Sequence, residues 1–169
     1  GVGTGLSEKH RGDNPVAWTY LKRVRYGNNA PGSTTSFRFV LVLDYGEHDP
    51  DDPGVDDDTA TGAPDWTLRQ DPFSTHRARF ERRCYRLCQR VLMFHHFTEL
   101  GTDPVPVRSL ELTYDENPRA TTLSSALHRG WMPNGSGGGT TQTLPPLELS
   151  YTSAAISETL AFVDGLDDL

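Results

Sequence analysis

Cysteine is nearly absent. Cys84 and Cys88 are the only two in 169 residues, too few for the disulfide framework that staples small secreted scaffolds. Long apolar runs are missing as well. No stretch approaches the ~20 apolar residues that a bilayer-crossing helix needs. Residues 1–12 have no apolar core of the kind a secretory leader carries, and their GVGTG opening reads as a chain excised from something longer. Apolar residues make up only 35% of the chain, against 16 glycines and 12 prolines. That balance argues against a helical bundle and for a loop-rich, all-β domain of ordinary size. Positive charge is also in short supply. Sixteen lysines and arginines face 23 acids, and the net charge of −7 leaves no general basic footprint for nucleic acid.

What charge there is comes in blocks. Residues 44–58 (DYGEHDPDDPGVDDD) hold eight carboxylates, read as a solvated acidic loop. A calcium loop needs ligands spaced so that each turns toward one ion. Asp56-Asp57-Asp58 lacks that D-x-D-x-D-G spacing, so no metal is assigned. The opposite block is RARFERRCYRLCQRVLMFHHF, residues 77–97, in which Arg77, Arg79, Arg82, Arg83, Arg86 and Arg90 fall within fourteen positions. Apolar residues thread between them, which marks a folded element whose arginines must find carboxylates, carbonyls or a polyanion.

Strand signals recur between turn signals. Residues 20–26 (YLKRVRY) run into a Gly-Asn-Asn and Pro-Gly loop. In residues 37–45, Phe37, Phe39, Leu41, Leu43 and Tyr45 line one face by alternation, and Val40 and Val42 give the other face partial cover. Residues 107–114 repeat the pattern with Leu110, Leu112 and Tyr114, and a weaker strand is expected over 121–128. The glycine-rich stretch 134–143 (NGSGGGTTQT) is expected to be a flexible loop. The last expected strand is 147–152, with Leu147, Leu149 and Tyr151 aligned. Tyr26, Tyr45 and Tyr114 each close a strand before a turn residue. This fits a recurring hairpin unit whose ring covers the hairpin end, and equally fits tyrosine at the strand ends of any sheet.

The basic run itself is ambiguous. Phe80, Cys84, Leu87, Cys88, Val91 and Leu92 stand at helical spacing, with Ser74 as a candidate cap. As a strand, Cys84, Cys88, Leu92 and Phe94 share a face with Arg82, Arg86 and Arg90. Periodicity leaves both open. The choice also decides whether Cys84, Cys88, His95 and His96 could form a zinc site. On a strand the two cysteines would stand roughly 13 Å apart at ~3.3 Å per residue, and the adjacent histidines would face opposite ways. On a helix the cysteines would be neighbours. Packed thiols and a packed histidine are the expected account. Trp18, Trp66 and Trp131 could form a carbohydrate platform only if the fold set them on one surface.

Several stretches together resemble the SpvB-type domain near the N-terminus of insecticidal Tc toxin B components and of SpvB virulence effectors. They are YLKRVRYGN (20–28), LVLDYGE (41–47), RQDPFS (69–74), RLCQRVLMFHHFTELG (86–101), LTYDENP (112–118) and LPPLELSYT (144–152). The resemblance covers 20–152 and implies the C-terminal part of that domain, with 1–19 as a lead-in and 153–169 as a connector toward a propeller-like domain. It implies a mainly β fold: a curved antiparallel sheet or β-hairpin segment of an Rhs-type shell, with long loops and little helix. It also tips the basic run toward strand.

The resemblance further implies a non-catalytic structural role in a β-shell that encloses and delivers a toxic C-terminal polypeptide. The transferase activity of SpvB effectors belongs to a separate C-terminal domain. Its arginine, Ser-Thr-Ser and Glu-x-Glu elements have no counterpart in the required order here, since Ser150-Tyr151-Thr152-Ser153 is only a strand end. No catalytic, cofactor-binding or metal-ligating residue is therefore assigned, and no cofactor. The implied partners are other domains of the same toxin polypeptide and the Tc C and A components, without nucleic acid or membrane contact by this segment. The implied location is extracellular, or the bacterial cytoplasm before release. An independent adhesive or ligand-binding β-domain, and an N-terminal delivery segment of a single-chain ADP-ribosylating effector, are the alternatives.

Overall fold

A computed structural model of the chain describes residues 19–54, 66–133 and 139–152. The expected lead-in (apart from residue 19) and the connector lie outside them. Among these described residues nine strands appear: β1 (Arg23–Asn28), β2 (Phe37–Asp44), β3 (Leu68–Thr75), β4 (Arg82–Arg86), β5 (Arg90–His95), β6 (Val105–Asp115), β7 (Thr122–Pro133), β8 (Gly139–Thr143) and β9 (Leu147–Glu148). Seven of them build one antiparallel sheet in the order β1-β2-β5-β6-β7-β8, with β9 joining β7 beside β8. β3 and β4 form a separate two-stranded hairpin, an excursion between the neighbours β2 and β5. Helix among the described residues is limited to one short 3-10 turn, Thr98–Leu100.

The core sits where β2 crosses β5. Val40 pairs with Phe94 and Val42 with Leu92, and these four residues are at most 1% exposed. Alternation placed the larger apolar set on the odd-numbered face of β2, yet that face is only half-buried. The reason is what covers each face. Phe39 makes its own small aromatic cluster, with ring centroids 5.0 Å from Tyr26, 5.1 Å from His95 and 5.6 Å from Phe97. The even face is roofed by the chain that follows β2, which returns over it with His48 and Pro53 buried. A strand's pattern states which residues share a face; the covering layer states which face is the core.

Several boundaries differ from expectation for local reasons. β1 runs on to Asn28 because Gly27, at φ 67°, lets the strand continue where a Cβ would stand 2.6 Å from the Phe39 ring. The basic run is β, but it is two strands in two sheets, broken at residues 87–89. β7 extends five residues past the expected 128, held by Arg129 against Glu111 and Trp131 against Ser109. Of the expected flexible loop, residues 139–143 are strand β8 and pair with residues 129–133; 134–138 lie outside the described residues. The glycine count hid a Thr-Thr-Gln-Thr half with high strand preference. The final strand shrinks to Leu147–Glu148.

Candidate functional site

Arg86 and Arg90 of the basic run find carboxylates, and the result is a charged seam. At its centre Asp44, the last residue of β2, stands opposite Arg90, the first of β5. Arg90 Nε donates to Asp44 Oδ2 at 2.7 Å, and Nη2 donates to the His48 carbonyl. The second carboxylate oxygen accepts from the backbone N–H groups of Gly46 (3.0 Å), Glu47 (2.9 Å) and His48 (3.2 Å). Asp44 is fully buried. Burial pushes its carboxyl pKa up, but the Arg90 charge and the N–H donors outweigh that and hold it below the ordinary carboxylate value. The pair thus binds the roofing loop to the two strands that form the core.

A second layer surrounds Glu47. Lys22 Nζ and the Tyr45 N–H both donate to Oε2 at 2.8 Å, and Arg86 reaches Oε1 at 3.4 Å. The Arg86 guanidinium lies 4.2 Å from the Trp66 ring centroid and 5.3 Å from that of Tyr20, a stacked site suited to a planar cation. The Tyr20 hydroxyl accepts from the N–H groups of Tyr85 (2.6 Å) and Arg86 (3.3 Å), joining β4 to the lead into β1. Tyr45 donates to the Leu21 carbonyl at 3.1 Å and Tyr114 to that of Cys88 at 2.6 Å. Burial first, with the Cys88 thiol adding, pushes both phenols up to about 12.

The hairpin is clamped at its base. Arg69 holds Asp71 through Nε (2.9 Å) and Nη2 (3.0 Å), while the Thr121 N–H (2.7 Å) and hydroxyl donate to the same carboxylate. Burial raises Asp71, yet these donors bring its pKa down to about 2. Higher up, Arg83 donates to Ser74 Oγ at 3.0 Å, which donates to Glu81 at 2.6 Å.

The other sequence candidates are dispersed. Cys84 and Cys88 are free, half-buried thiols; Cys84 Sγ lies 3.7 Å from Arg69 Nη1, and Cys88 Sγ donates to the Arg90 carbonyl at 3.3 Å. His95 ends β5 against Phe39. Among the described residues no three His, Cys, Asp or Glu side chains converge on a metal-sized point. Trp66 lies under Arg86 and Trp131 is buried, its Nε1 donating to Ser109 Oγ at 3.1 Å; Trp18 is outside the described residues. In the acidic loop, Asp49 accepts from the N–H groups of Asp51 and Asp52, and Asp52 from that of Gly54, so these carboxylates cap turns. Residues 55–58 lie outside the description. Sequence reasoning missed Asp44 as the partner of Arg90. Its one signal was a carboxylate ending the cleanest strand on the same face as Val40 and Val42.

Comparison with known proteins fits this arrangement. The family described as "SpvB: Salmonella virulence plasmid 65kDa B protein" matches residues 2–97. The chain belongs to the SpvB family. It is 40% identical over 140 residues to the mono(ADP-ribosyl)transferase SpvB of Salmonella typhimurium (strain 14028s / SGSC 2262), and equally to that of Salmonella choleraesuis (strain SC-B67). These matches cover 75% of the chain, which spans only 23% of the relatives' length.

Among solved structures, the chain is similar to the Photorhabdus luminescens Tc holotoxin pore. That match has a TM-score of 0.64 at 37% identity, covering 78% of this chain and 7% of that one. A complex of TcdB2, TccC3 and Cdc42 gives 0.66 at 35% identity over 80% and 7%. The N-terminal domain of SpvB from Salmonella typhimurium strain LT2 gives 0.54 at 45% identity over 63% and 36%. The mainly antiparallel β fold of this SpvB-family chain is therefore one it shares with Tc toxin chains and with an SpvB effector.

Proposed function

We propose that this SpvB-family chain is a non-catalytic wall segment of a Tc-type toxin B component. In that reading residues 20–152 form part of a β-shell that encloses and delivers a toxic polypeptide. Its partners are the other domains of its own polypeptide and the remaining Tc components, and its place of action is outside the producing cell. The observation that carries the reading is the division of labour between side chains. The seam residues Asp44, Glu47, Asp71, Arg69, Arg86 and Arg90 all engage other strands and loops of this chain. Meanwhile the β7–β9 end leaves Met132, Leu144, Leu147 and Tyr151 at least 57% exposed. A sheet tied internally by charge, with an apolar end left open, is built to continue into neighbouring structure. Matches to 7% of far longer Tc chains support the same role.

A second reading is favoured by sequence identity, which is 40% and 45% with SpvB against 35–37% with the Tc chains. In it the segment is the N-terminal delivery part of a single-chain effector whose transferase lies elsewhere. The intact mass of the native polypeptide carrying this segment separates the two. A product many times larger than 169 residues supports the shell, and a modestly larger one supports the effector. A product of about this size overturns both.

A further inference from the structure

The main sheet has a second apolar face. Register carries it from strand to strand: Val24 stands opposite Leu41, Leu41 opposite Met93, and Met93 opposite Arg108. The next row runs Leu43, Val91, Leu110 and His128, and the one after it Leu112 and Ala126. Residues directly opposite in an antiparallel pair share a face. All of these therefore lie on the side away from Val40, Val42, Leu92 and Phe94. The roofing loop, with His48 against Phe94, covers the core side. No described strand is layered over the second face. Val24, Tyr26 and Leu110 are 40%, 42% and 38% exposed there, and Leu41, Val91, Met93 and Leu112 are half-buried.

One charge stands in this face. Arg108 is exposed between Met93 and Gly130, and among the described residues its side chain has no hydrogen-bond or ion-pair partner. Burial first, and then the Arg108 charge, lowers the pKa of His95 on the same side. None of the register positions named above holds a carboxylate. A cover for this face must bring apolar side chains and a carboxylate, and no cation of its own. Exit points choose among the chain segments outside the described residues. Residues 1–18 lead to Tyr20, whose hydroxyl is fixed to β4. Residues 55–65 follow the roof on the core side, and 134–138 (NGSGG) carry no apolar side chain. Residues 153–169 instead follow β9, where Leu147 stands opposite Ala126 on this face. They hold Ile156, Leu160, Phe162 and Val163 with Glu158, Asp164, Asp167 and Asp168, and no lysine or arginine.

We propose that residues 153–169 return over this second face. Ile156 and Leu160 lie against Leu112, Leu110 and Met93, and Glu158 or Asp164 meets Arg108. The strand order β9-β7-β6-β5 puts β5 three spacings from β9, about 15 Å at ~4.8 Å each. About five extended residues bridge that span. The path crosses β6 and β5, and leaves Leu144, Leu147 and Met132 uncovered at the outer edge. Apolar burial drives the contact, and the guanidinium–carboxylate pair fixes where the segment lies. Charge decides against a second copy of the chain as the cover. Face to face, two copies would bury each Arg108 against a surface that offers no carboxylate.

The chain has two methionines, Met93 under the proposed path and Met132 beyond it as an internal control. NMR of the full chain with labelled methionine methyls, in the presence of a soluble gadolinium chelate, reads the exposure of each. Ile156→Asp/Leu160→Asp should raise the relaxation of the Met93 methyl about twofold or more and leave Met132 unchanged. Arg108→Glu should act in the same direction by less. Ile156→Ala/Leu160→Ala serves if the aspartates perturb folding, and should also expose Met93. A Met93 methyl that none of these variants moves, or an equal change at both methyls, overturns the proposal. So does protection of Met93 that fades on dilution, which would make a second copy the cover instead.

Discussion

The β2–β5 crossing and the β7–β9 end are written in similar residues and meet opposite fates. Both set Leu, Val or Tyr at every second position, with further apolar residues between them at the crossing (residues 39–43 and 91–94) and polar ones between them at the far end (residues 148 and 150). At the crossing, Val40, Val42, Leu92 and Phe94 are sealed; at the other end Leu147 and Tyr151 stand in the open. The difference lies in the third partner. Asp44 turns the chain back over the crossing, and Arg90 fastens the returning loop through the His48 carbonyl. At the β7–β9 end β9 covers only Ser125 and Ala126, and the described residues supply no layer above it. A buried ion pair is a weak source of net stability, but breaking one is costly because the survivor is left without a counter-charge. The crossing therefore depends on a charge pair to keep its apolar roof in place.

The largest effect should come from removing that roof's fastening. Arg90→Ala strands Asp44 in a fully buried site and should lower unfolding free energy by about 3–5 kcal/mol, measured by urea denaturation. The paired change Asp44→Leu with Arg90→Met should recover much of that loss; if it does not, the pair matters for more than charge balance. Next comes the hairpin clamp. Asp71→Asn should cost roughly 1–3 kcal/mol, since it weakens a charge-assisted set of hydrogen bonds.

The pH dependence of that clamp has a definite sign. The folded pKa of Asp71 is about 2, below its ordinary 3.8. Its contribution is therefore full above 3.8, falls as pH drops toward 2, and is gone below that. Acid titration of stability should be steeper in that window for the parent chain than for Asp71→Asn. A smaller effect attends Tyr114→Phe, which deletes the hydroxyl bond to the Cys88 carbonyl and should cost about 1 kcal/mol. Smallest of all, Leu147→Ser at the open end should shift stability within about 0.5 kcal/mol while reducing self-association in analytical ultracentrifugation. A core-sized loss there would mean the end is covered after all.

Much of this architecture is legible along the chain. Alternation in residues 37–45 and 107–114 marks β2 and β6, because a two-residue period survives in sequence whatever packs on it. The SpvB-type stretches carried the family and with it the β assignment of the basic run. The seam was half legible. Six crowded arginines announced that partners were needed, but Asp44 lies 46 positions from Arg90 and no spacing rule links them. Asp71 and Thr121 are 50 positions apart and equally silent. The 139–143 strand was hidden because glycine content was read without the register that Met132 and Trp131 offer to Thr140 and Thr141.

By itself, then, the sequence determined the strands in residues 37–45 and 107–114, the family and the surplus of arginine in one stretch. These rest on local backbone preference and side-chain period, which act over a few residues. Only the tertiary structure decided which face of β2 is the core and which carboxylates Arg69, Arg86 and Arg90 meet. The Arg86 and Arg90 pairings depend on segments brought together from 39 and 46 positions away, where burial removes water and makes a distant charge the nearest available partner.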